Sequence, residues 1–154
     1  MKTSRILLLA TTAFLLTTLT ASAEVRLPKI FTSHMVLQRE MPVTIWGWAA
    51  PGETVTVQIL KDKQATKAND KGEWKVTLAS LKAGGPVTVT VSGTTTITLE
   101  DVLVGEVWVC SGQSNMQMAV GGCEHAADEI AAANLPGIRL FTVTDMTAPT
   151  PSTS

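Results

Sequence analysis

The sequence predicts an α+β protein by content. An antiparallel β-sandwich-like domain spans residues 24–100, and residues 101–154 open an α/β domain with a βαβ unit. Three observations carry this prediction. Between residues 43 and 99, short runs alternate apolar and polar residues and are separated by Gly, Pro and Asn-Asp turns, as in antiparallel strands with one buried face. At Val102–Val109 (VLVGEVWV) the alternation gives way to a near-continuous apolar run, as in a strand covered on both faces. An alanine-rich stretch at helical spacing then leads to a second apolar run, Ile138–Val143, completing strand, helix, strand.

Residues 1–23 read as a secretory signal peptide. Lys2 and Arg5 form a charged start, Ile6–Leu19 an apolar stretch, and Ala21-Ser22-Ala23 a small-residue cleavage site. A membrane span needs about 18 or more mostly apolar residues, and threonines interrupt this shorter run. Export to a periplasm or the cell exterior is therefore expected, with no membrane association after cleavage.

Glu24–Arg39 mixes apolar residues with a proline and reads as irregular extended chain. Val43–Ala49 and Thr54–Leu60 are strands joined by the Pro51-Gly52 turn, so a hairpin is expected. Lys61–Lys71 is polar enough for a weak edge strand, and Asn69-Asp70-Lys71-Gly72 is a turn. Glu73–Leu78 places Trp74, Val76 and Leu78 on one face. After the break at Ala83–Pro86, Val87–Ser92 and Thr95–Leu99 form two more strands. In the second part, Cys123–Asn134 is the helix, with Ala126, Ile130 and Ala133 at helical spacing, and Leu135-Pro136-Gly137 ends it. One βαβ unit cannot cover both faces of a parallel sheet. Residues 101–154 are thus expected to be the first part of a truncated domain.

Composition excludes several function classes. Removing residues 1–23 leaves 10 basic and 13 acidic residues, a formal charge of −3, with no basic run, so a nucleic-acid surface is not expected. Two cysteines and two distant histidines lack the paired short spacing of a zinc site, so neither metal nor cofactor is expected. Cys110 and Cys123 are compatible with a disulfide in an oxidising compartment or with two free thiols, Cys110 being buried on its strand.

The chemistry is expected within Gly105–Val120 (GEVWVCSGQSNMQMAV), where an apolar strand runs into the turn Ser111-Gly112-Gln113 and presents Ser114. A serine at the carboxyl end of a parallel strand sits where open α/β sheets carry their ligands. It needs a base to take its proton and donors for the developing oxyanion, which backbone N–H groups of the turn can supply. By local pattern alone the turn is weak evidence, because Met116 replaces the second glycine of a G-x-S-x-G elbow.

GEVWVCSGQSNMQM (residues 105–118) resembles the nucleophile block of the sialate O-acetylesterases, a branch of the SGNH hydrolases. Ser33–Arg39 (SHMVLQR), Trp46-Gly47, Pro51-Gly52 and Ile138–Phe141 (IRLF) resemble the same family. The resemblance implies an N-terminal portion of a serine esterase that removes O-acetyl groups from sialic acids or other acetylated sugars. It implies Ser114 as nucleophile and an SGNH-type α/β domain. The family's base, in an Asp-x-x-His block, and its further oxyanion donors are expected beyond Ser154; the sequence contains no Asp-x-x-His.

Gln113 and Asn115 are candidate substrate contacts, with a turn-stabilising role as the alternative for Asn115. His34 reads as a hydrogen-bonded structural residue, and His125, on the helix, as a solvated one rather than a base. Most of the four tryptophans, at strand positions, are expected in the core. The competing reading is a non-enzymatic exported β module that binds carbohydrate or protein.

Overall fold

The computed structural model describes residues 24–143. The expected signal peptide and the Thr- and Pro-rich end of the chain lie outside the described residues.

Alternation in the sequence becomes alternation in burial. Strand β2 (Val43–Trp48) buries Val43, Ile45 and Gly47, β3 (Thr54–Ile59) buries Val55, Val57 and Ile59, and β5 (Glu73–Leu78) buries Trp74, Val76 and Leu78. Strand β4 (Asp62–Lys67) has no buried residue and lies at a sheet edge, as its polarity predicts. β6 (Gly84–Ser92) and β7 (Thr96–Gly105) form a long antiparallel hairpin, and β1 (Val36–Gln38) pairs with β7 in parallel. The five-stranded sheet is mixed, in the order β1-β7-β6-β3-β4, and β2 and β5 form a separate two-stranded sheet. One α-helix, α1 (Ala126–Ala132), follows two short 3-10 turns, so the described residues are mostly β with one helix.

Both sheets feed one apolar core. Ile45, Val55, Val57, Ile59, Val89, Val91 and Val102 are fully buried there, and Trp74 closes one side. Fully burying a Val or Ile side chain is worth about 1.5–3 kcal/mol, so these few residues dominate the stability of the β unit.

The Pro51-Gly52 turn forms, with Glu53 N donating to Ala50 O at 2.9 Å, but it does not make the expected hairpin. β2 pairs with β5, and β3 pairs with β4 and β6. Crossing between sheets lets the apolar faces of β2 and β3 meet over the core. Glu53 secures the corner, accepting from Ala50 N at 2.9 Å and from Thr94 N at 2.5 Å.

The stretch expected as irregular chain is more ordered than predicted. Besides β1, Arg26 bridges to Trp48 through two backbone bonds. That close approach depends on Gly47, where a Cβ would lie 2.1 Å from Arg26 O.

The apolar strand expected to run into the Ser111–Gln113 turn, over residues 106–110, and the strand expected at Ile138–Val143 are not formed in the described residues. The first apolar run is divided: its front half belongs to β7, with Val102 and Val104 buried, and its back half is exposed. The reason is pairing. The β1 ladder ends at Gln38–Gly105 and the β6 ladder at Gly84–Val104, so the chain beyond Gly105 has no strand beside it. The helix is seven residues rather than twelve, and none is buried. Helices this short are marginal without tertiary packing.

Candidate active site

β7 delivers the chain to Gly105, and from there Glu106–Gln113 runs as exposed extended chain to Ser114. Ser114 opens a four-residue 3-10 turn, Ser114–Gln117, closed by Met116 N donating to Gln113 O at 2.9 Å. Gly112 lets Met116 pack close to this turn: a Cβ there would lie 2.6 Å from Met116 Cγ, so the Met116 side chain would have to shift. Gln113, Ser114 and Asn115 are all exposed and adjacent, so the structure presents the expected nucleophile and its two candidate contacts on one surface turn. The Asn115 carbonyl accepts from Met118 N at 3.4 Å, so its backbone takes part in the turn.

His34 Nδ1 lies 2.6 Å from Asp101 Oδ2, matching the hydrogen-bonded structural role expected for it. His125, the residue before α1, is three-quarters exposed and lies 3.6 Å from Glu124. A base must come within about 3 Å of the hydroxyl it activates, and among the described residues neither imidazole hydrogen-bonds to Ser114.

The flanks of the segment carry a charged network that sequence reasoning missed. Glu106 accepts from Gln38 Nε2 at 3.0 Å and from Arg39 Nε at 2.5 Å. Gln38 Oε1 in turn accepts from Val107 N at 2.8 Å. Arg139 Nη2 donates to both carboxylate oxygens of Asp101 at 2.9 Å, and Nη1 donates to the Asp101 carbonyl. The hydrogen bond from His34, then those from Arg139, holds the Asp101 carboxyl below the usual carboxylate range. Gln38, then Arg39, does the same for Glu106. A signal for this existed: Glu106 interrupts an apolar run, and a charge in such a place calls for a partner.

Two further expectations are corrected. Cys110 and Cys123 are free, one of the two alternatives left open, but Cys110 is exposed rather than buried, because the strand meant to bury it has no neighbours. Only Trp74 among the tryptophans is buried. Trp46 and Trp48 point away from the core, packed edge to face at 5.5 Å between ring centres, with Phe31 at 6.2 Å from Trp46. They sit on the outward positions of β2, whose inward positions carry Val43 and Ile45. Trp108 is 83% exposed on the unpaired stretch. Among the described residues, no group of three or more His, Cys, Asp or Glu could hold a metal ion, and no helix is long and apolar enough to cross a membrane.

No family model matches the chain. It is 37% identical over 131 residues to the sialate O-acetylesterase of Mus musculus, covering 77% of this chain and 24% of that protein. The human sialate O-acetylesterase is 37% identical over 137 residues, covering 80% and 26%. Among solved structures, a carbohydrate acetylesterase from Xanthomonas citri aligns with a TM-score of 0.71 and 35% identity, over 73% of this chain and 26% of that one. The chain spans about a quarter of the length of each of these relatives. Over most of its own length, this chain is a homologue of the sialate O-acetylesterases.

Proposed function

We propose that the chain is the N-terminal part of an exported serine esterase that removes O-acetyl groups from acetylated sugars, sialic acids among them. The observation that carries this is the exposed Ser114 turn, lying in a chain whose relatives are named sialate O-acetylesterase or carbohydrate acetylesterase.

In this reading residues 1–23 are a signal peptide, and the protein works in a periplasm or outside the cell. The small β-sandwich expected over residues 24–100 extends through β7 to Gly105. The chain from Glu106 onward begins an SGNH-type α/β domain, whose strands at 106–110 and 138–143 pair once further strands lie beside them. The exposed Val107, Val109, Leu140 and Phe141 are apolar enough for that role.

Ser114 Oγ attacks the acetyl carbonyl while a base takes its proton, and N–H groups of the turn receive the developing oxyanion. The sugar hydroxyl leaves with a proton, and water then frees acetate from acetyl-Ser114. Gln113 and Asn115 flank the nucleophile and contact the sugar. The base comes from chain beyond Ser154.

The test is hydrolysis of an O-acetylated sialic acid by a protein that continues past Ser154. Ser114→Ala is expected to lower kcat by roughly 10⁶-fold, and trapping is expected to find acetyl-Ser114. An unchanged rate defeats the assignment. The self-contained core of the β unit favours a second reading, an exported module that binds carbohydrate or protein. That reading predicts binding with no acetyl-Ser114 in any version of the protein.

A further inference from the structure

We infer that the β unit pins both ends of the Ser114-bearing segment to a single sheet edge, with Glu106 and Arg139 as the positioning residues. Strand β1 is the edge strand of the five-stranded sheet and runs parallel to β7. His34 and Arg39 lie just before and just after it; Asp101 lies on β7 and Glu106 just beyond its end. At about 3.3 Å per residue, Asp101 and Glu106 are about 17 Å apart along the chain. Everything between Glu106 and Arg139, Ser114 included, therefore leaves and returns within a short length of one edge.

The departure point is fixed by Glu106 on Gln38 and Arg39, by Val107 N on Gln38 Oε1, and by Arg39 N donating to Gly105 O at 2.9 Å. The return point is fixed by Arg139 on the carboxylate and carbonyl of Asp101, which His34 braces from the other side. Isolated surface ion pairs contribute little. This pair differs, because one guanidinium binds three oxygens of one residue and its side chain is only 19% exposed. Lysine offers no such planar fork.

Neighbouring parallel strands joined by a crossover start from the same side of their sheet. Clamps at residues 106 and 139 place the starts of both proposed strands on one edge and so set their common direction. That last step rests on the proposed α/β reading; the clamps themselves rest on the contacts alone.

The test is ¹⁵N relaxation on the 154-residue chain. Backbone order parameters near 0.85 mark rigid chain and values below about 0.6 flexible chain. Arg139→Ala, with Arg139→Gln as a gentler variant, is expected to drop residues 138–143 below about 0.6 while β2, β3 and β5 stay rigid. Arg39→Ala is expected to do the same to residues 106–108. Exchanging the charges in Asp101→Arg/Arg139→Asp is expected to restore order at 138–143, which a merely steric role for Arg139 does not predict. Wild-type residues 138–143 as flexible as in Arg139→Ala, or no change on substitution, overturns the clamp. In a protein continued past Ser154, strand-type chemical shifts at 106–110 and 138–143 test the α/β reading separately. Clamps intact with no strands there overturns only their role in setting strand direction.

Discussion

Arg139 Nη2 lies 2.9 Å from both carboxylate oxygens of Asp101, joining residues 38 apart in sequence across the entire Ser114 segment. Asp101 adopts a left-handed backbone conformation, φ 52°, and so does its other partner His34, φ 67°. Two non-glycine residues in that region, bonded to each other, indicate that the contact is strong enough to offset local backbone cost.

The contact is pH-sensitive in a defined direction. His34 and Arg139 are the groups facing Asp101, and together they lower its pKa. In the unfolded chain the carboxyl titrates near 3.9. A lowered native value means the clamp is at full strength above about pH 4 and is lost as pH falls through the native value. The Asp101 side-chain carboxyl ¹³C shift, followed from pH 7 downward, is expected to show a midpoint below that of an ordinary aspartate. The Arg139 Nε–H resonance is expected to move with the same midpoint. A normal or raised midpoint contradicts the arrangement.

The core makes a separate prediction. Ile45 is fully buried between the two sheets. Ile45→Ala removes buried methyl groups and leaves a cavity, at a cost of about 2–5 kcal/mol. For a domain of this size that lowers Tm by at least about 8 °C. Thr44→Ala, on the outward face of the same strand, is expected to shift stability by no more than about 0.5 kcal/mol. Equal effects at the two positions count against the inward and outward assignment of β2.

Strands were legible where burial is one-sided. Thr54–Ile59 and Glu73–Leu78 alternate cleanly, because each has one face on the core and one in solvent. Pairing was not legible: the Pro51-Gly52 turn is the same whether the chain doubles back or crosses to a second sheet. Val102–Val109 misled for a related reason. Its apolar run spans two environments, the end of β7 and an unpaired exposed stretch, and composition does not mark the boundary. The turn at Ser114 was visible from its small and polar neighbours. The charged contacts flanking that segment were not, because Gln38, Arg39, Asp101 and Arg139 come together only through the parallel β1–β7 pairing.

Gly112 links the turn to its neighbour. Gly112→Ala places a Cβ 2.6 Å from Met116 Cγ, too close for Met116 to stay where it is. Met116 is half exposed and must take another rotamer, at a cost of order 0.5–1.5 kcal/mol. The expected result is a shifted Met116 methyl resonance and displaced amide signals for Gln113–Asn115, with the Tm of the β unit unchanged. Gly112→Ala/Met116→Ala is expected to return the amide signals toward their original positions. A single variant that leaves these signals in place shows that the turn does not depend on Gly112.

The 154-residue chain on its own is expected to be a poor esterase. A positioned general base contributes about 10²–10⁴-fold. Neither imidazole hydrogen-bonds to Ser114 among the described residues: His34 is bonded to Asp101, and His125 is exposed beside Glu124. With 4-nitrophenyl acetate as substrate, acetylation of Ser114 is therefore expected to be slow, and His34→Gln or His125→Gln to leave its rate unchanged. Supplying the rest of a relative's length is expected to raise the rate by at least the factor a base contributes. Fast acetylation of Ser114 by the short chain, lost in His125→Gln, is the opposite outcome. It makes His125 the base and removes the need for residues beyond Ser154.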